Sequence, residues 1–138
     1  DVTIQAQILE LMMKLKSERR DSAIVMITHD LAVVAETCSR IVVMYGGKIQ
    51  EVGATRQIFN NPLHPYTQGL LDSIPRPTTG ARGGRLRAIQ GNVPSILNMP
   101  TGCKFNTRCE RVKEECYHTE PELIEMEPGH FVRCHLYP

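Results

Sequence analysis

Four cysteines near the carboxyl end of the chain have the type and spacing of ligands for a metal ion or a cluster. Cys103, Cys109, Cys116 and Cys134 follow the pattern C-x5-C-x6-C-x17-C. Four thiols could close two disulfides, surround one structural zinc ion or hold an iron–sulfur cluster. The segment that carries them is poor in aliphatic residues and needs a cross-link to hold one structure. The spacing therefore predicts a thiolate-bound metal or cluster, and it leaves the identity of the metal open.

A histidine at the end of an apolar run is the second group that could do chemistry. His29 follows the short apolar run at residues 23–28, and such a run between polar residues is typical of a strand buried on both faces of a parallel sheet. Thr28 and Asp30 are favourable N-cap residues for a helix that begins at Leu31. His29 is therefore expected at the carboxyl end of a strand, where open α/β sheets bind ligands. On these residues alone, a polar side chain that fills a turn is the simpler interpretation.

The overall composition is that of a globular protein. The chain has 138 residues, of which 41% are hydrophobic and 22% charged, so a packed core is expected. The net charge of +1 gives no reason to expect nucleic acid or an anionic membrane surface as a partner. No apolar run approaches the roughly 20 residues of a transmembrane helix, and no signal peptide opens the chain. The chain begins at Asp1, directly before a helical pattern, and looks like a piece of a longer protein.

Periodicity and turn residues predict an α/β order of helices and strands. An amphipathic helix over residues 4–15 precedes the apolar run, and a short helix over residues 31–37 follows it. Two strands at residues 41–45 and 48–52 flank a Gly46-Gly47 pair, which suits a two-residue hairpin turn. The second of these strands is polar enough to lie at a sheet edge.

Further elements are expected towards the carboxyl end. Thr55 begins a short helix, and Pro65 begins another. His64, between two prolines at this helix start, is expected to satisfy a backbone group rather than to do chemistry. Residues 114–117 suit one helical turn, and residues 131–133 suit a short strand.

Four segments in this order resemble the carboxyl-terminal half of the ATP-binding subunit of an ABC transporter. They are DVTIQAQ at the start, the apolar run that ends in Thr-His-Asp, RIVVMYGGKI at residues 40–49 and NPLHPYTQGLL at residues 61–71. The resemblance is to the dipeptide/oligopeptide and nickel uptake family, covers nearly the whole chain and is most specific in NPLHPYTQ. It implies an α/β fold: the carboxyl-terminal part of a P-loop NTPase (ABC ATPase) domain plus a small irregular cysteine-rich tail.

The resemblance also implies a division of the chain. Residues 1–60 would be the carboxyl-terminal part of the ABC ATPase domain. Residues 61–138 would be the carboxyl-terminal extension of oligopeptide transporters, with a linker at residues 75–87 and a cysteine cluster at residues 103–134.

The function implied is that of an ATPase subunit that uses ATP and Mg²⁺ to power ABC-type import of di- and oligopeptides. Its partners would be a second ABC ATPase subunit and transmembrane permease subunits, with an extracellular solute-binding protein reached indirectly. It would lie peripherally at the cytoplasmic face of the membrane. His29 would be the switch histidine, which contacts the terminal phosphate and helps to position the attacking water. Asp1 would end the loop that crosses the interface between the two ATPase subunits.

Several parts of such an ATPase are absent from the sequence. There is no G-x-x-x-x-G-K-[ST] loop to bind phosphates. The family's signature motif, its magnesium-binding aspartate and its catalytic glutamate are also missing and would lie upstream of Asp1. We therefore expect this chain alone neither to bind ATP tightly nor to hydrolyse it.

The cysteine segment itself resembles the tail of the peptide-transporter ATPases, some of which carry a 4Fe–4S cluster there. The similarity lies in GCKF and RC around the first two cysteines and in EPGHFVRC at the last. The resemblance favours the cluster, with Zn²⁺ as the alternative. It also argues against disulfides, because the thiols of a cytosolic ATPase stay reduced. His118, His130 and His135 are alternative ligands, of which the last two are expected in a turn and at the surface.

Two other functions compete with the ATPase subunit. One is a non-catalytic module that is stabilised by a bound zinc ion or iron–sulfur cluster and recruits a protein partner. The other is nucleic-acid binding through the four arginines of residues 76–87. The second is weak because no aromatic residues are interleaved with the arginines and the net charge is nearly balanced.

Overall fold

The computed structural model describes residues 2–74 and 88–138, which form two compact units, Asp1–Cys38 and Ser39–Pro138. Each unit is described by itself. Asp1 and the predicted linker at residues 75–87 lie outside the described residues. The predicted division at residue 60 stays a prediction. Within the described parts of the chain, no helix is long and apolar enough to cross a membrane.

The first unit contains the two helices that the sequence predicts. Helix α1 spans Val2–Glu18, and helix α2 spans Leu31–Thr37. Asp30 is the N-cap of α2, because its Oδ1 accepts hydrogen bonds from the backbone N–H groups of Ala32 and Val33 at 3.0 and 3.2 Å.

The buried strand predicted at residues 23–28 is absent, and this prediction is wrong for the described structure. These residues have no regular secondary structure, and the side chains of Val25 and Ile27 are 89% and 98% exposed. A strand needs a neighbour that satisfies its backbone N–H and C=O groups. In residues 2–38 the regular elements are the two helices alone, so the apolar run has no strand to pair with.

The second unit is built on a four-stranded antiparallel sheet in the order β1-β2-β4-β3. Its strands are β1 at Arg40–Tyr45, β2 at Lys48–Ala54, β3 at Leu123–Glu127 and β4 at His130–Arg133. The first hairpin and the strand near residue 131 are confirmed. The mixture of helices and strands is confirmed too. The predicted tail is less irregular than expected, because it contributes β3 and β4.

Strand β2 lies in the interior of the sheet, and the prediction that it forms an edge is wrong. It pairs with β1 on one side and with β4 on the other. Its polar residues Gln50 and Glu51 are only 1% and 0% exposed. Both are stabilised by hydrogen bonds, as burial of polar groups requires: Gln50 Nε2, for example, donates to the carbonyl oxygen of Tyr45 at 3.1 Å.

Among the described residues of the second unit, three helices and one 3₁₀ turn complete the fold. They are α3 at Thr55–Asn60, α4 at Pro65–Asp72, the 3₁₀ turn at Ile96–Asn98 and α5 at Glu115–His118. His64 caps α4, because its Nδ1 accepts a hydrogen bond from the backbone N–H of Tyr66 at 3.0 Å. The structural role predicted for His64 is therefore confirmed.

The carboxylate of Glu51 joins three segments of the second unit. Its Oε1 accepts from the backbone N–H of Leu63 at 2.8 Å, and its Oε2 accepts from the N–H of His64 at 2.9 Å. The Nε2 of His130, on β4, lies 2.8 Å from the same Oε1. His130 is fully buried, so its predicted place in an exposed turn is wrong. The reason is that Glu51 offers the imidazole a buried acceptor.

Candidate metal-binding cysteine site

The four tail cysteines come from three parts of the second unit. Cys103 and Cys109 lie on either side of the turn at residues 104–108, Cys116 lies in α5, and Cys134 directly follows β4. None forms a disulfide. Cys103, Cys116 and Cys134 are buried, and Cys109 is partly exposed. The fold thus gathers four unpaired thiols from segments that are well separated in the sequence.

Backbone contacts hold Cys103 against Cys116. The N–H of Cys103 donates to the carbonyl oxygen of Cys116 at 2.9 Å. The side-chain Nδ2 of Asn106 donates to the same oxygen at 3.2 Å and to the carbonyl oxygen of Thr101 at 2.9 Å. Asn106 is 4% exposed, so these bonds lie in the interior and fix the relation of the two cysteine segments.

Gly102 permits this close approach. Its φ is +67°, and a Cβ placed there would lie 2.3 Å from the carbonyl oxygen of Cys116. Both the backbone conformation and the space therefore require glycine at this position.

The thiols are close enough to influence one another electrostatically. The pKa of Cys103 is raised to about 11. Burial is the main cause and the other three cysteines add to it, while a hydrogen bond from the Phe105 N–H opposes the rise. Burial likewise raises the pKa of Cys109 and of Cys134. Without a cation, these thiols prefer to remain protonated, because burial disfavours the charged thiolate and repulsion between neighbouring thiolates adds to this effect.

Each thiol also has a backbone N–H group nearby. Hydrogen bonds from the N–H groups of Phe105, Arg111 and Leu136 lower the pKa of the cysteine two residues before each of them. The Sγ of Cys116 accepts from the N–H of Lys113 at 3.4 Å. Such donors stabilise the thiolate form, which is the form that binds metals.

The described residues contain no group of three or more His, Cys, Asp or Glu side chains arranged to hold a single metal ion. The four thiols therefore share a neighbourhood without forming the compact tetrahedron of a zinc site. Of the alternative ligands, His118 lies 2.9 Å from Glu114 Oε1, and His135 Nε2 lies 2.8 Å from the carbonyl oxygen of Thr119.

An aromatic cluster packs beside the cysteines. Phe105 is 2% exposed and makes edge contacts with the rings of Tyr45 and His64, with centroid distances of 5.2 and 5.9 Å. Burial, with a smaller contribution from the positive charge of Arg111, lowers the pKa of His64 to about 4. His64 is consequently neutral near pH 7, and its capping Nδ1 stays free of a proton.

His29 lies in the first unit, where its side chain is exposed. It sits in a turn fixed by a hydrogen bond from the N–H of Asp30 to Thr28 Oγ1 at 3.0 Å. Its predicted place before a helix is thus confirmed, whereas the strand before it is absent. Asp1, the other residue predicted for nucleotide binding, lies outside the described residues.

Sequence analysis missed the residues that support the cysteines. Gly102 and Asn106 sit in an irregular segment with no periodicity, and Arg111 is two residues past Cys109. One signal was available: glycine directly before a candidate ligand often marks a backbone approach that no side chain allows. The hydrogen bonds of Asn106 carry no comparable signal.

The chain is similar to known proteins over nearly its whole length. Residues 50–116 match the family described as "Oligopeptide/dipeptide transporter, C-terminal region". The oligopeptide transport ATP-binding protein AppD of Bacillus subtilis is 45% identical over 99% of the chain and 41% of its own length. A putative peptide import ATP-binding protein of Brucella ovis is 47% identical over 97% of the chain and 40% of its own length.

A third relative has nearly the same coverage. The dipeptide transport ATP-binding protein DppD of Haemophilus influenzae is 47% identical over 98% of the chain and 40% of its own length. The chain thus spans about two fifths of the length of the curated relatives that it matches.

Substitution of Gly102 tests the close approach between the cysteine segments. We expect Gly102→Ala to lower the free energy of unfolding by at least about 3 kcal/mol, because it adds both positive-φ strain and a clash with the Cys116 carbonyl. Gly129→Ala is the matched control, since Gly129 has a φ of +75° but no atom within 4 Å of a new Cβ. It should cost only about 1 kcal/mol. Equal losses of unfolding free energy in the two variants, measured by urea denaturation, would contradict the close contact between Gly102 and the Cys116 carbonyl.

Proposed function

This chain belongs to the family of oligopeptide and dipeptide transport ATP-binding proteins, and from that premise we propose that it is part of an ATP-hydrolysing subunit that powers ABC-type peptide import. The observation that carries the proposal is similarity over nearly the whole chain to proteins named for peptide transport and ATP binding. The complete subunit would use ATP and Mg²⁺. It would pair with a second ATPase subunit and with membrane permeases, and it would lie at the cytoplasmic face of the membrane.

In this proposal His29 contacts the terminal phosphate of ATP and helps to hold the attacking water in line. Phosphoryl transfer is catalysed mainly by positioning and by stabilisation of charge, both of which an imidazole can supply. The exposure of His29 supports this role, because the ring is accessible to a ligand. The hydrogen-bonded turn from Thr28 to Asp30 limits where the ring can reach. The proposed place of Asp1 at the interface between ATPase subunits rests on the resemblance alone.

The exposed apolar side chains of the first unit support a place within a larger domain. Ile4, Ile8, Leu11 and Leu15 on α1 are each more than half exposed, as is Val25 in the apolar run. Apolar side chains in such number are normally covered by protein.

We propose further that the four tail cysteines bind a 4Fe–4S cluster. The donors fit the group chemically: four unpaired thiols, three of them buried, each with a backbone N–H that stabilises a thiolate. The thiols influence one another's pKa but do not form a group suited to one ion. The resemblance to peptide-transporter ATPases that carry a cluster in their tail favours the cluster over zinc, and the several irons of a cluster accept ligands from separated segments. Bound at these four residues, the group would cross-link the tail and could exchange an electron.

Replacement of His29 tests the ATPase proposal in the complete subunit. We expect His29→Ala to reduce the ATP turnover rate about 100-fold or more, as loss of a transition-state contact does, while ATP affinity changes little. His118→Ala is the control, because His118 is also an exposed histidine and pairs only with Glu114 among the described residues. Normal turnover in the His29 variant would contradict the role of His29. A complete wild-type subunit without any ATPase activity would contradict the proposal that the subunit hydrolyses ATP.

Anaerobic purification with metal analysis and an absorption spectrum tests the cysteine site. We expect iron and acid-labile sulfide in the wild type and their loss in Cys116→Ser, because one of four ligands is removed. Cys38→Ser is the control, since Cys38 belongs to the other unit, and it should keep the cluster. One zinc per chain would contradict the cluster and support the alternative metal. A wild-type protein that contains no metal would contradict a metal or cluster site at these cysteines.

A further inference from the structure

A cleft of about 250 Å³ lies in the second unit, between α4 and the segment at residues 88–90. Such a volume holds several water molecules. It is smaller than the roughly 300 Å³ at which pockets for drug-sized ligands begin. The size of the cleft therefore suits a small solute.

The two walls of the cleft are held in place by contacts within the fold. Gly69 on α4 lets Ile89 approach closely, because a Cβ at Gly69 would lie 2.7 Å from the Cγ1 of Ile89. On the other side, the Nε and Nη2 of Arg108 donate to the carbonyl oxygens of Gln90 and Ile89 at 3.0 and 3.3 Å. A cleft whose walls are fixed before a ligand arrives loses little conformational entropy on binding.

Part of the lining is apolar. Ile89 and the buried ring of Phe105 both line the cleft, and Ile89 packs against the core cluster that contains Phe105. An aliphatic side chain of a ligand would lose contact with water there, which favours binding.

A positioned guanidinium also lines the cleft. The Nη2 of Arg111 donates to the Oε1 of Gln68 at 2.6 Å. Gln68 is itself oriented, because its Nε2 donates to the carbonyl oxygen of Pro62 at 2.8 Å. The bond to Gln68 uses one of several N–H donors of the guanidinium, so the others can donate to a ligand.

Negative charge lines the same cleft. The carboxylates belong to Asp72, on α4, and to Glu110, which directly precedes Arg111. Among the described residues, neither Glu110 nor Arg111 takes part in an ion pair. A ligand that carries both signs of charge therefore finds a partner for each.

We propose that this cleft binds a small zwitterion with an amino and a carboxylate group, namely a free amino acid or a short peptide. The carboxylate pairs with the guanidinium of Arg111, whose planar N–H groups match two carboxylate oxygens. The ammonium pairs with Glu110, and an apolar side chain of the ligand packs against Ile89 and Phe105. Binding here needs neither ATP nor the four cysteines, and it is separate from the activity proposed above.

Isothermal titration calorimetry of the complete subunit, purified without membrane partners or nucleotide, tests the cleft with alanyl-leucine as the probe. We expect saturable binding. N-acetyl-alanyl-leucine lacks the ammonium, and alanyl-leucine amide lacks the carboxylate. Each should bind at least about 10-fold more weakly, because each loses a charged hydrogen bond. Free leucine, titrated separately, distinguishes an amino acid from a peptide as the tighter ligand.

Two variants assign each charge of the ligand to its partner. Arg111→Gln should weaken binding of alanyl-leucine about 10-fold and should not weaken binding of the amide any further. Glu110→Gln should weaken binding of alanyl-leucine to a similar extent and leave binding of the N-acetyl form unchanged. Arg56→Gln is the matched control, because Arg56 is an exposed arginine on α3 that does not line the cleft. This variant should bind alanyl-leucine as the wild type does.

The outcomes separate this cleft from the ATPase proposal. Equal affinity of the wild type and Arg111→Gln for alanyl-leucine would overturn the zwitterion site, as would equal affinity of the wild type for the probe and its amide. A wild type that binds neither alanyl-leucine nor leucine would overturn the cleft as a ligand site. ATP hydrolysis by that same preparation would leave the ATPase proposal standing.

Discussion

The second unit depends on one buried carboxylate. Glu51 is fully buried on an interior strand, where an unpaired charge would be very costly. Its two oxygens accept from the N–H groups of Leu63 and His64 and face the imidazole of His130. These partners come from the turn before α4 and from β4. The cost of burying the carboxylate therefore constrains three distant segments to one arrangement.

That arrangement also places the candidate cysteine site. Strand β4 runs directly into Cys134, and the turn at residues 62–64 leads into α4, whose Gln68 holds Arg111. The hydroxyl of Tyr137 donates to the carbonyl oxygen of Leu63 at 2.8 Å and ties the end of the chain to the same turn. The NPLHPYTQ segment, which lies within the residues that match the transporter family, is thus physically linked to the cysteine tail.

Local signals in the sequence predicted the local structure well. The Gly46-Gly47 hairpin, helix α4 with its His64 cap and the strand at β4 follow from glycine, proline and short-range periodicity. Long-range pairing could not be predicted in this way. The interior place of β2 depends on β4, whose residues follow it by about 80 positions, and the burial of His130 depends on Glu51. The cysteine spacing indicated a site, but the contacts of Arg111 and Asn106 come only from the fold.

Hydrogen exchange at two backbone amides tests the central role of Glu51 most directly. In Glu51→Gln, one acceptor oxygen is replaced by an NH₂ group that faces a backbone N–H. We expect the amides of Leu63 and His64 to exchange at least about 10-fold faster than in the wild type, since hydrogen bonds to a charged acceptor are strong. Glu122→Gln, at an exposed glutamate, should leave both amides protected. Unchanged protection of Leu63 and His64 in Glu51→Gln would contradict the account.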